Sequence, residues 1–232
     1  MNQDPISQSR NEVHGKGGWC ILWPRKKNSK QSADAFREKL GAFRKLTKSK
    51  AELTFVNAPF RVADENDATQ SPSPGARGWW FSRENDSFDA LESSDVCKGY
   101  KQSLDFVCRF VDETGFKFDG LLGFSQGAAF VALLCVLAQR KELPFDFKFA
   151  IIIAGFKSRC SSHANMYGDT NVTIPTLHVF GENDKVIPKE LSQDLARSFE
   201  KPTLLVHVGG HFLPVTGQQK SVYLTFLSNI KE

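Results

Sequence analysis

The sequence lacks the features that mark membrane, secreted or nucleic-acid-binding proteins. No stretch reaches the roughly 18 uninterrupted apolar residues of a transmembrane helix, so we expect no membrane span. Residues 1–18 have no apolar segment of the kind that a secretory signal needs, and we expect them to form a disordered polar tail. A net charge of +4, from 30 basic and 26 acidic residues, is too small to indicate a nucleic-acid partner.

Paired cysteines are also missing. The five cysteines are an odd number and none lies in a C-x-x-C pair, so the pattern predicts neither a zinc site nor a disulfide framework. Cys108 and Cys135 fall in apolar helical patterns and are expected to be buried packing residues. This cysteine usage favours a reducing, cytoplasmic compartment. The basic stretch of residues 25–30 is expected to be a solvated loop, with a localisation role (which leaves the nucleus open) or anion binding as the alternative.

What is present is an alternation of strand and helix patterns, in a chain with 41% hydrophobic and 24% charged residues. Short apolar runs predict strands at 19–23, 53–56, 118–122, 149–154, 176–180 and 204–208. Apolar residues at helical spacing predict helices around 36–43, 96–111, 126–139, 191–199 and 222–230. This order predicts one α/β domain over residues 19–232, with a doubly wound, mainly parallel sheet and helices on both faces.

A G-x-S-x-G sequence, Gly123 to Gly127, carries the first chemical signal. It directly follows a predicted strand and directly precedes an uncharged helix, as a nucleophile elbow requires. The sharp turn lifts the Ser125 hydroxyl clear of the sheet, and a Cβ at position 123 or 127 would crowd the facing strand and helix. The alternative is a tight turn with an inert serine.

A serine nucleophile needs a base, and the base needs a group that orients it. Asp184 follows the strand 176–180, and His211 follows the strand 204–208 through two glycines. The carboxyl ends of parallel strands share one edge of the sheet, and the order Ser125, Asp184, His211 is that of α/β-hydrolases. We therefore predict that these three residues are catalytic.

Other acids and histidines compete with this assignment. Glu182 is expected to face solvent, and Asp119 is expected to be a hydrogen-bonding residue at the end of a strand. The remaining histidines lie in mid-strand, in a polar loop or in the tail: His178, His207, His163 and His14. Only His211 follows a strand at the expected place in the order.

Acyl transfer also needs N–H donors for the developing oxyanion. One is the backbone N–H of Gln126, the residue after the nucleophile, and the second should come from the loop after the first strand. Pro24 in that loop has no N–H, so the backbone of Arg25 is the expected second donor.

The loop from residue 57 to residue 89 is long enough to indicate a function. Its aromatic residues Trp79, Trp80 and Phe81, together with Phe124 beside the nucleophile, are predicted to line an apolar acyl pocket. The alternative for the three loop residues is that they fill the gap between the loop and the sheet.

Five segments together resemble the FSH-type serine hydrolases: residues 36–39, 77–81, 118–128, 178–181 with 184–188, and 209–212. The resemblance runs from about Phe36 to the C-terminus and implies a compact α/β-hydrolase without a large cap domain. It also implies carboxylesterase activity on small-molecule acyl esters, with Ser125 as nucleophile, Asp184 as orienting acid and His211 as base. No metal or organic cofactor is expected, because a serine, a base and an acid suffice for this reaction.

Two alternatives remain open at this stage. The irregular loop at Trp23 to Arg25 could leave a catalytically impaired α/β-hydrolase-fold protein that serves as a binding module. A thioesterase or peptidase would use the same three residues, and the fold alone does not decide between them.

Overall fold

The computed structural model describes residues 17–23, 40–49, 51–62, 77–115, 117–168 and 171–230. The basic stretch 25–30 with Arg25, the expected helical residue Phe36 and the tail residue His14 lie outside these ranges.

A six-stranded sheet in the order β2-β1-β5-β6-β7-β8 organises the molecule, and every neighbouring pair of its strands is parallel. Its strands are β1 (Gly17–Trp23), β2 (Ala51–Asn57), β5 (Phe118–Phe124), β6 (Phe149–Ile153), β7 (Thr176–Gly181) and β8 (Thr203–His207). Two short strands, β3 (Phe60–Arg61) and β4 (Arg77–Gly78), pair antiparallel outside this sheet. The prediction of a mainly parallel α/β sheet is therefore confirmed.

Helices flank the sheet and follow its strands along the chain. They are α1 (Gly41–Thr47), α2 (Tyr100–Thr114), α3 (Gln126–Gln139), α4 (Lys189–Ala196) and α5 (Gly217–Ser228), with a 3-10 helix at Ser161–Met166. Helix α3 has the bounds that the uncharged pattern predicts, and residues 126–137 are all buried. An uncharged helix fits this position because every one of its faces packs against protein.

Some boundaries differ from the sequence prediction. Helix α2 begins at Tyr100 rather than near Val96, because Gly99 adopts a left-handed conformation with φ 90° that ends helical geometry there. Helix α4 ends at Ala196, and Phe199 instead lies in an isolated bridge with Val172. Strand β1 begins at residue 17, two residues before the predicted start of the strand at residue 19.

The predicted loop 57–89 is not structureless, since it contains β3 and β4.

The two cysteines that the sequence predicts to be buried differ from each other: Cys135 is fully buried, whereas Cys108 is only partly buried. In the part of the chain that the structure describes, no helix combines the length and the apolar character needed to cross a bilayer.

We expect Leu133→Ala in the middle of α3 to lower the free energy of unfolding by about 2–5 kcal/mol, because the side chain is fully buried. The matched control is Leu204→Ala on β8, where the leucine is 49% exposed. The control should cost less than about 1 kcal/mol. Urea denaturation of both variants checks this, and equal losses would contradict the packing described for α3.

Candidate active site

Ser125 occupies the turn that joins β5 to α3. Its φ of 54° and ψ of −122° lie in a region that L-residues seldom adopt. The backbone N–H of Ser125 donates to the carbonyl of Ile153 at 2.8 Å, which fixes the turn to the end of β6. The residue is only partly buried, so the strained turn leaves it at the rim of the sheet.

Gly123 lets β5 and α3 approach each other closely. A Cβ on Gly123 would overlap the carbonyl group of Gly127 and the Cα of Ala128. The first glycine of the G-x-S-x-G sequence is therefore required by backbone-to-backbone contact, as the sequence predicts.

The N-terminus of α3 points toward Ser125. The carbonyl of Ser125 accepts hydrogen bonds from the N–H groups of Ala128 and Ala129 at 3.0 and 3.1 Å. Gln126 is the first residue of α3, so its backbone N–H has no acceptor within the helix. The positive end of the helix dipole and this N–H can both stabilise negative charge near Ser125.

Asp184 lies in the turn after β7, and its side chain is fully buried. One carboxylate oxygen accepts the backbone N–H groups of Val186 and Ile187 at 2.8 and 2.9 Å. Burial favours the neutral acid, but the hydrogen bond from His211 and those from Ile187 and Val186 offset it and hold the pKa of Asp184 below its usual value. Asp184 is therefore an ionised acceptor at neutral pH.

His211 donates from Nδ1 to the other carboxylate oxygen of Asp184 at 2.6 Å. The histidine side chain is only 6% exposed, and its Nε2 is buried without a hydrogen-bond partner among the described residues. Phe124, the residue before Ser125, packs with its ring centroid 4.5 Å from that of His211. The imidazole thus lies beside the elbow with one nitrogen held by the acid and the other unpaired.

Two loops in contact bring Asp184 and His211 together. A Cβ on Gly181 would overlap the carbonyls of Gly209 and Gly210, so the loops after β7 and β8 meet with no side chain between them. The N–H of Asn183 donates to the Gly209 carbonyl at 3.1 Å, and the side-chain amide of Asn183 donates to Val208 at 2.6 Å.

The described acids and histidines that compete with Asp184 and His211 do not form a comparable acid–histidine pair. Glu182 is exposed, and Asp119 forms a partly exposed ion pair with Lys148 at 3.3 Å. His178 is buried against Thr176, and burial lowers its pKa to about 3. His207 is also buried, and its Nδ1 accepts the N–H of Gly209 at 3.2 Å.

The predicted pocket residues Trp79, Trp80 and Phe81 are all buried. Trp79 stacks on Phe130 of α3 with ring centroids 4.7 Å apart. This packing is what the gap-filling alternative expects, and a contact with substrate stays a prediction for these three residues. The predicted second oxyanion donor, Arg25, lies outside the described residues.

Sequence reasoning missed a role for the side chain of Gln126. Its Oε1 accepts the backbone N–H of Trp79 at 2.9 Å, and its Nε2 donates to the carbonyl of Trp80 at 2.7 Å. Gln126 therefore joins the start of α3 to the aromatic segment, residues 79–81. No local signal could have revealed this contact, because its partners lie more than 45 positions away along the chain.

Comparisons with known proteins identify the family to which the chain belongs. The sequence model of the family described as "Serine hydrolase (FSH1)" matches residues 29–223. Esterase OVCA2 of Xenopus tropicalis is 45% identical over 204 residues, which cover 85% of this chain and 88% of that protein. Human Esterase OVCA2 is 40% identical over 213 residues, which cover 88% of this chain and 93% of that protein.

Solved structures share the fold at low sequence identity. Zea mays acyl-protein thioesterase 2 aligns with a TM-score of 0.64 at 16% identity, over 94% of this chain and 97% of that chain. Arabidopsis thaliana SOBER1 aligns with a TM-score of 0.62 at 15% identity, over 92% and 98%. The α/β-hydrolase fold is thereby confirmed.

We expect Asp184→Asn to lower the free energy of unfolding at pH 7 by about 1–3 kcal/mol, because the charged hydrogen bonds are weakened. The pKa of Asp184 is lowered in the folded state, so its contribution to stability is complete above the unfolded pKa of about 3.9 and is lost as the pH falls through the folded pKa.

The difference between wild type and variant should therefore shrink as the pH falls below about 5, as measured by urea denaturation. Asp146→Asn, at an exposed carboxylate, is the control and should show little change at any pH. A difference that grows toward acid pH would contradict the assignment of an ionised Asp184.

Proposed function

The chain belongs to the FSH1 family of serine hydrolases, and on this premise we propose that it is a carboxylesterase in which Ser125, His211 and Asp184 form the catalytic triad. The observation that carries the proposal is the 2.6 Å hydrogen bond from His211 Nδ1 to Asp184, with Nε2 left unpaired beside the elbow. The small-molecule substrate is an acyl ester.

In the first half of the reaction, Nε2 of His211 accepts the Ser125 proton while the oxygen attacks the ester carbonyl. The carboxylate of Asp184 holds the imidazole in the tautomer that leaves Nε2 free to act as a base, and it stabilises the imidazolium that forms. His211 then passes the proton to the departing alcohol, which leaves an acyl group on Ser125.

In the second half, His211 removes a proton from water, and the resulting attack on the acyl group releases the carboxylic acid. The N–H of Gln126 and the positive end of α3 stabilise the oxyanion in both halves, and we assign the second donor to the backbone of Arg25. Loss of one such donor typically lowers turnover by about 10²–10³.

A fluorophosphonate probe is expected to label Ser125, and Ser125→Ala is expected to lower kcat by about 10⁵–10⁶ with the fold retained. Mass mapping of the labelled peptide and hydrolysis of a nitrophenyl ester measure the two effects. Ser221→Ala, on the exposed face of α5, is the matched control and should retain both labelling and activity.

Failure of the folded wild type to react with the probe would contradict the proposal and favour a non-catalytic binding protein. Labelling at a serine other than Ser125 would contradict the assigned nucleophile.

We further propose that the acyl group is an apolar chain of medium to long length. Phe124 packs on His211, and Phe212 next to that histidine is 49% exposed. Apolar surface so close to the proposed base can cover alkyl carbons and remove them from water.

We therefore expect a higher kcat/KM for an octanoyl ester than for the acetyl ester of the same alcohol. Burial of two methylene groups at about 0.8 kcal/mol each corresponds to roughly a tenfold preference. Equal kcat/KM values for the octanoyl and acetyl esters would contradict an apolar acyl site beside His211. The thioester of octanoic acid is the parallel substrate, and faster hydrolysis of it would assign a thioesterase.

A further inference from the structure

Two thiols and an imidazole that the hydrolase chemistry does not use lie together away from Ser125. Ligand atoms of Cys97, Cys160 and His163 all lie within 4.8 Å of one another. Cys160 is buried, whereas Cys97 is only partly buried and gives the pair access from outside. The sequence pattern does not predict this cluster, because its two cysteines are more than 60 residues apart.

The backbone holds the two cysteine segments side by side. Ser94 and Cys160 form a parallel bridge, in which Ser94 donates to the Arg159 carbonyl at 3.1 Å and Ser161 donates to the Ser94 carbonyl at 2.9 Å. The thiol of Cys160 donates to the Val96 carbonyl at 3.4 Å, so its sulfur touches the backbone next to Cys97. The two sulfurs lie within 4.8 Å of each other, and they must approach to about 2.0 Å to form a disulfide.

The surroundings favour a thiolate on this pair. The interaction between the two thiols places the thiolate on Cys160: it lowers the pKa of Cys160 to about 7 against the opposing effect of burial, and together with burial it raises the pKa of Cys97. The two other cysteines whose side chains the structure describes lack this environment: burial raises the pKa of Cys135, and burial and Asp105 raise that of Cys108.

The imidazole geometry argues against a preformed metal site. The Cys97 sulfur lies 3.5 Å from Nε2 and 4.0 Å from Nδ1 of His163, so it sits beside the ring rather than in line with one nitrogen lone pair. Nδ1 is already hydrogen bonded to Ser158 at 2.7 Å, and the Tyr100 ring packs 4.2 Å from the imidazole. These contacts hold the ring in its present orientation.

We propose that Cys97 and Cys160 form a reversible disulfide when the protein meets a hydroperoxide. The thiolate of the pair attacks the O–O bond, which breaks to give a sulfenic acid and, after protonation, an alcohol or water. The second thiol then attacks the sulfenic sulfur, forms the S–S bond and expels hydroxide, which takes up that thiol's proton and leaves as water. The two sulfurs lose two electrons, and the hydroperoxide gains them.

The cross-link would join the segment before α2, which contains Cys97, to the loop after β6. Trp80 packs beside His163, with ring centroids 6.0 Å apart, and its carbonyl accepts the side chain of Gln126, the residue after Ser125. The disulfide is nevertheless a property of the thiol pair alone, so its test does not depend on the hydrolase chemistry.

The test treats the reduced full-length chain with hydrogen peroxide at pH 7 in the presence of a chelator, then counts free thiols after denaturation. We expect the five titratable thiols to fall by two, with a peptide pair that links positions 97 and 160 in the mass map. Dithiothreitol should restore the lost thiols. Cys97→Ser should show no linked peptide, and the control Cys108→Ser should form the same link as the wild type.

Three results would overturn the proposal. One is oxidation of Cys97 and Cys160 to separate sulfinic acids at the rate of Cys108, and another is a link from either residue to a different cysteine. The third is one equivalent of zinc in the purified chain before chelation that Cys97→Ser loses, which would make the cluster a metal site.

Discussion

The hydrogen bond between Asp184 and His211 depends on the close contact of two loops. Parallel strands β7 and β8 end at the same edge of the sheet, and the glycine at 181 lets the backbone of 209–210 lie directly against it. Any side chain at this glycine would separate the loops and lengthen the bond. The acid, already fixed by two backbone N–H groups, therefore receives the imidazole in one orientation.

Much of this arrangement could be predicted from the sequence, because it depends on local patterns. Continuous apolar runs predict the parallel strands, and the uncharged stretch 126–139 predicts a helix enclosed by protein, with the bounds that the structure has. The ends of the predicted strands also give the positions of the three site residues. Ser125 lies between β5 and α3, and Asp184 and His211 follow β7 and β8. In a parallel sheet, strand ends alone assign residues to one edge.

What could not be predicted depends on contacts between distant segments. The Gln126 side chain binds the backbone of Trp79 and Trp80, and nothing local to any of these residues indicates it. The predicted start of α2 near Val96 is wrong because the apolar period extends across Gly99, where a left-handed backbone ends the helix. That glycine lies against the ring of Phe60, which is distant along the chain. The cysteine cluster was missed for the same reason, since spacing rules detect only ligands that are near in sequence.

The backbone of Ser125 has a cost for the whole protein. A non-glycine residue at its φ of 54° and ψ of −122° stores about 1–3 kcal/mol of conformational strain. A glycine there would relax this strain but would remove the hydroxyl. Under the proposed role of Ser125 as nucleophile, the hydroxyl that the reaction needs is therefore held at a position where glycine would relieve the strain.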